Sequence, residues 1–155
     1  VVGGGLGLAA VMDISVAADD VRFGFTEVRL GVAPAMISVV CLPKMRRGEA
    51  LEAFLRGTRF SAERAVELGL INHAVDREDL DQEVEAILGD VLRGGPLALA
   101  AAKRLVYEVP EMEQSEAFAH TADISGRLFA SEEAAAGMRA FLARADAPWV
   151  PDGDD

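Results

Sequence analysis

A chain of 155 residues that is 51% hydrophobic is long enough for one domain with a real core and too apolar to stay disordered. Fifteen basic residues against 26 acidic ones leave a net charge of −11, which argues against nucleic acid or an anionic membrane as partner. An anionic small molecule stays open, because helix N-termini and a few arginines can supply local positive potential. With Cys41 as its one cysteine, the chain has no internal disulfide framework and fits a reducing, cytoplasmic setting. No apolar run approaches the roughly 20 residues of a membrane span, and the opening residues do not read as a secretory segment.

In chain order, Gly3 to Gly7 reads as a loop and Leu8 to Met12 as a short helix of small residues. Residues 13–18 (DISVAA) alternate and carry β-branched residues, which predicts a strand. After the Asp19-Asp20 turn, residues 21–25 (VRFGF) predict a second strand. The two form either a hairpin or a corner between sheets. Residues 26–35 (TEVRLGVAPA) read as a loop, and Met36 to Met45 as a helix broken at Pro43. Gly48 to Arg56 predicts a helix ended by Gly57, and Ser61 caps a short helix that stops at Gly69. Residues 70–75 (LINHAV) predict a strand, after which Asp76 can cap a helix with Leu80, Val84, Ile87, Leu88, Val91 and Leu92 on one face. Gly94-Gly95-Pro96 closes that helix and opens another, to about Val109. Pro110 precedes a further helix, and Ser131 caps the last, to about Arg144. Residues 149–155 (WVPDGDD) are expected to fray. Three short strands do not make a protected sheet, and the chain starts at Val1, directly before a glycine run. An N-terminally truncated chain is therefore expected, with a processed terminus as the alternative.

Few residues carry chemistry on their own. Glycines at a helix start let a ligand atom approach N–H groups that have no partner inside the helix. That suits an oxyanion site. Gly5, Gly7 and Ala10 also fit the dinucleotide pattern G-x-G-x-x-A, although a full strand should precede it, and tight packing alone is the plain alternative. Glu27 has apolar neighbours, Phe23, Phe25, Val28 and Leu30, that would bury it and fit it for acid–base work. His73 and His120 lack metal-ligand spacing and read as structural, Cys41 reads as core, and no metal site is expected.

Together these residues resemble a known family. The run GGGLGLAAVMDISVAADDVRFGFTEVRLGVAPA is similar to the GGG loop, strand and P-E-x-x-L-G-x-x-P run of the crotonase superfamily, the enoyl-CoA hydratase/isomerase family. LRGTRFSAERAVELGLINHAV and LFASEEAAAGMRAFLARADAPW resemble two further motifs of that family. The resemblance implies an α/β fold, a spiral of ββα turns with a C-terminal helical region that drives trimers or hexamers. Residues 1–75 would be the end of the spiral core, 76–147 the helical region and 148–155 a tail.

The resemblance further implies an acyl-CoA thioester substrate, with coenzyme A carried as part of that substrate and no other cofactor. The Gly4 N–H would hold the thioester oxygen as an enolate forms, with a second donor from an upstream loop that this chain lacks. The truncated chain alone would then have low activity or none. Glu27 maps onto the family's second glutamate. The first falls at Gly7, which cannot transfer a proton, so hydration by two carboxylates is in doubt and isomerisation by one is open. Gly3, Gly5 and Gly7 would line the substrate, Pro34, Ala35 and Met36 would shape the acyl pocket, and Arg144 would lie near the CoA phosphates. The rival functions are a non-catalytic scaffold of the same fold and a dinucleotide-binding protein.

Overall fold

The computed structural model describes residues 1–151, which form one compact unit over Val1–Glu85 and a second that begins at Ala86. The first unit opens on Gly3, whose backbone (φ 55, ψ −134) is open to glycine and closed to most other residues. Its carbonyl accepts the Leu6 N–H (3.0 Å) and the Gly7 N–H (3.4 Å). The loop expected over Gly3 to Gly7 is therefore only its first residue, and the other glycines belong to α1 (Gly4–Val11). Packing on the core overrides the poor helix propensity of this run.

The two strands that follow are β1 (Val16–Ala18) and β2 (Arg22–Gly24). They form a corner and not a hairpin. β1 pairs in parallel with β4 (His73–Val75), and β2 pairs antiparallel with β3 (Arg59–Ser61), a strand the sequence did not announce. β1 is shorter than expected. The Asn72 Oδ1 accepts the Ser15 N–H at 2.9 Å, and the Ser15 carbonyl accepts the N–H groups of Asn72 and His73. At the other end of β1, Arg77 grips Asp20 with Nε (3.1 Å) and Nη2 (2.7 Å). That hydrogen bonding holds the Asp20 carboxyl below the usual carboxylate range.

Residues Thr26–Leu30, expected as loop, form a 3₁₀ segment. Then come α2 (Ala35–Cys41), a 3₁₀ turn at Leu42–Lys44 around Pro43, α3 (Arg47–Arg56) and α4 (Ala62–Glu67). Ser61 caps α4 as expected, its side chain accepting the Arg64 N–H at 3.2 Å. Asp76 offers no side-chain cap; its carbonyl accepts the Asp79 N–H instead, and a 3₁₀ turn (Arg77–Asp79) precedes the next helix. The core of the first unit is built on Leu6, Phe23, Phe25, Cys41, Met45, Leu68, Leu70 and Ile71, with Ala10, Ala50, Ala62 and Ala65 between them. The Phe25 and Phe54 rings meet there with centroids 4.2 Å apart, joining the base of the Glu27 segment to α3.

α5 (Leu80–Leu92) carries the chain into the second unit, which continues with α6 (Pro96–Glu108), α7 (Gln114–Phe129) and α8 (Glu132–Ala143). Among its described residues Ile124 is the one large apolar side chain that is buried, while Phe118, Phe129, Phe141 and Leu142 are each at least 70% exposed. Polar contacts tie the helices together. The His120 Nε2 meets the Glu108 Oε2 at 3.1 Å. Hydrogen bonds from Arg104 first, and from His120 second, hold the Glu108 carboxyl below its usual range. The Trp149 Nε1 donates to the Arg93 carbonyl at 3.0 Å and the indole lies against Gly137, so the expected fraying does not extend to this residue; residues 152–155 lie outside the described residues.

The Glu133 carboxylate of α8 caps α6, accepting the Leu97 N–H (2.9 Å) and the Ala98 N–H (3.0 Å). It satisfies two first-turn donors that have no carbonyl ahead of them inside the helix. Glu133→Ala is expected to lower stability by about 1 kcal/mol in urea unfolding, with Glu133→Gln recovering part of the loss.

Candidate active site

The start of α1 supplies backbone donors. The N–H groups of Gly4 and Gly5 have no carbonyl ahead of them to take inside the helix. Gly4 is exposed, and a Cβ built on it would meet nothing within 4 Å, so a ligand atom has free approach. Gly5 is exposed too, with Val1 Cγ1 3.6 Å from its Cβ position. The G-x-G-x-x-A pattern lies wholly inside α1. Ahead of it, Val2 makes an isolated parallel bridge with Gly24.

Glu27 stands beside this helix start. Its Oε1 is 4.0 Å from where a Gly3 Cβ would be. Its Oε2 is buried and has no hydrogen-bond partner. The expected apolar enclosure is only half present. Phe23 and Phe25 are buried, but Val28 is 36% and Leu30 80% exposed, because the 3₁₀ segment turns both outward.

Cys41 lies close enough to feel this carboxylate. Burial first, and the charge of Glu27 second, push its thiol up to about 11, against a smaller opposing effect of Lys44. The residue is fully buried. Ellman's reagent at pH 8 is expected to label Cys41 in the denatured chain and to leave the native chain unlabelled for minutes to hours. Rapid labelling of the native chain would show that this helix opens readily.

Gly7 is a packing residue. It is buried, and a Cβ there would stand 2.9 Å from Ile37 Cγ2 and 3.7 Å from Val40 Cγ2 on α2. Pro34 is buried at the start of α2, and its carbonyl accepts the Ser38 N–H at 3.1 Å. Ala35 and Met36 are exposed, Met36 to 87%. Arg144 belongs to the second unit, where it ends α8 in the left-handed region (φ 53). The structure thus brings Gly3, Gly4 and Glu27 together. Sequence reasoning missed Ile37, although its place four residues before Cys41 put it on the core-facing side of a helix.

Positive charge is concentrated in this part of the chain. Arg22, Arg29, Lys44, Arg46, Arg47, Arg56, Arg59 and Arg64 fall between residues 22 and 64, with only Glu27, Glu49, Glu52 and Glu63 against them. Some are already paired, Arg56 with Glu52 and Arg64 with Glu49 and Glu67. Among the described residues no group of His, Cys, Asp or Glu could hold a metal ion, and no helix is long and apolar enough to cross a membrane.

Residues 1–152 match the family model described as enoyl-CoA hydratase/isomerase. Crotonyl-CoA hydratase of Syntrophomonas wolfei is 33% identical over 149 residues, which cover 96% of this chain and 57% of that protein. Carnitinyl-CoA dehydratase of Citrobacter koseri is 31% identical over 154 residues, 95% of this chain and 58% of that protein. Among solved structures, an enoyl-CoA hydratase/isomerase from Marinobacter aquaeolei is similar with a TM-score of 0.92 at 29% identity, covering 97% of this chain and 58% of that one. Pseudomonas aeruginosa AtuE is similar with a TM-score of 0.91 at 30% identity and the same coverage. The chain therefore spans a little under three-fifths of the length of these relatives, and it belongs to the enoyl-CoA hydratase/isomerase family, with the crotonase fold.

Proposed function

We propose that this chain provides the acid–base part of an enzyme acting on an acyl-CoA thioester, with Gly4 as oxyanion donor and Glu27 as the one proton-transferring side chain. The observation that carries this reading is the Glu27 carboxylate, one oxygen 4.0 Å from the Gly3 Cβ position and the other buried without a partner, beside the helix start where Gly4 is exposed. The thioester oxygen accepts the Gly4 N–H. In an isomerisation, Glu27 removes a proton from an acyl carbon, the electron pair moves onto the thioester as an enolate, and Glu27 returns the proton at another carbon. In a hydration, Glu27 takes a proton from water as its oxygen bonds the acyl chain, then delivers the proton to the neighbouring carbon. The names of the crotonyl-CoA and carnitinyl-CoA relatives favour addition or removal of water. Gly3, Gly5, Pro34, Ala35 and Met36 border the acyl group in this reading, and Gly7 enters through its contact with α2.

Coenzyme A comes in as part of the substrate, and its phosphates suit the arginine-rich stretch between residues 22 and 64, with Arg144 as a further contact. Residues 1–75 carry the chemistry and 76–147 self-association into a trimer or hexamer. The exposed Phe118, Phe129, Phe141 and Leu142 support the second part. The setting is cytoplasmic. The test is turnover of a panel of enoyl-CoA thioesters by the whole protein, beginning with crotonyl-CoA, beside its Glu27→Gln variant. If no thioester is turned over, the non-catalytic scaffold is the better reading.

A further inference from the structure

We propose that Gly57 is a positioning residue for Glu27: its bare Cα is the seat on which the 3₁₀ segment Thr26–Leu30 rests. The inference depends on the acid–base reading of Glu27 for its catalytic meaning. Gly57 ends α3 in the left-handed region (φ 58, ψ 21), which explains a glycine by itself. It does a second thing that a cap does not require. A Cβ on Gly57 would stand 2.7 Å from Val28 Cγ2 and 3.2 Å from Arg29 Cγ. Val28 and Arg29 directly follow Glu27, and the Arg29 Nη2 reaches the Arg56 carbonyl, one residue before Gly57, at 3.5 Å.

The Phe25–Phe54 contact holds the base of the segment, and its outer part has few other anchors. None of its residues is fully buried. Its closing hydrogen bonds run from the Gly31 N–H to the Val28 carbonyl (3.2 Å) and from the Val32 N–H to the Glu27 carbonyl (3.3 Å). Where it stands is set by what it leans on. Any side chain at 57 pushes Val28 outward, and Glu27, one residue away, loses its place beside Gly3. Misplacement of a reacting group by about 1 Å costs on the order of 10²-fold in rate.

The test uses Gly57→Ala, Val28→Ala and the double variant of the whole protein, with two readouts. Amide hydrogen exchange at Gly31 and Val32 reports the segment without any need for substrate. Steady-state kinetics on the thioester the protein turns over report the chemistry. Gly57→Ala is expected to speed exchange at both amides and to lower kcat by about 10- to 100-fold with KM little changed. Adding Val28→Ala removes the methyl groups that collide and is expected to restore both, although the left-handed strain at residue 57 remains. Gly57→Asn replaces the alanine variant if that one fails to fold, because asparagine accepts the left-handed backbone and keeps the same contact with Val28. Unchanged exchange at Gly31 and Val32, or no recovery in the double variant, would overturn the proposal and leave Gly57 a helix cap alone. Exchange that follows the expected pattern while Glu27→Gln keeps full turnover supports the seat and removes its catalytic meaning.

Discussion

Glu27→Gln is expected to lower kcat by about 10²- to 10⁴-fold while the chain stays folded. The amide has the volume of the carboxylate and cannot take up and return a proton at the substrate. Substrate binding should change little, since the Gly4 N–H and the basic stretch are untouched, so the loss belongs in kcat and not in KM. Stability should hold for a specific reason. The Glu27 Oε2 has no hydrogen-bond partner, so the substitution breaks no bond there. Steady-state kinetics and a thermal melt on the same preparation check both halves. Full turnover in the variant would move the chemistry away from Glu27.

Gly7→Glu is expected to cost more than 3 kcal/mol of stability and to bring no hydratase activity. Simple alignment of functions suggests the opposite, that a glutamate here would supply a second carboxylate. The packing forbids it. Even a Cβ would lie 2.9 Å from Ile37 Cγ2, a methyl group on a β-branched residue with little rotamer freedom in a helix. Gly7→Ala alone should cost about 1–3 kcal/mol by overpacking. The glutamate adds a carboxylate buried between α1 and α2. Ile37→Leu, which removes the offending methyl at similar volume, should recover part of the alanine loss. Urea unfolding curves would measure each cost, and parental stability for Gly7→Glu would show that the two helices are not pinned at this point.

Sequence reasoning reached what is local. Ser61 and Ser131 were legible as caps because a hydroxyl three residues ahead of an N–H is a short-range pattern, and both make that bond. Gly95-Pro96 marked the start of α6 for the same kind of reason. Long-range contacts were not legible. β1 and β2 are neighbours in sequence and lie in different sheets, because their partners β4 and β3 arrive much later. The glycines of α1 have no helix propensity to read; buried Leu6 and Ala10 hold that run in place. The stripe on α5 had the right period, but no residue of that helix is fully buried. At the site, Glu27 was legible through its apolar neighbours and then through family resemblance, and the open helix terminus through the glycines. The contact of Gly7 with Ile37, the approach of Val28 to Gly57 and the coupling of Cys41 to Glu27 each join residues from different elements, so only the fold discloses them.

The hydrogen bond of Trp149 to Arg93 has a practical consequence for anyone who follows unfolding optically. Trp149 is the chain's one tryptophan and Tyr107 its one tyrosine, and both belong to the second unit. Fluorescence and near-ultraviolet signals therefore watch the helical region and are nearly blind to the unit that carries Glu27. The single thiol, Cys41, sits in the first unit. One native sequence thus holds two separate reporters, an indole for one unit and a thiol for the other. A denaturant titration read by both would show, without any introduced label, whether the two units melt together.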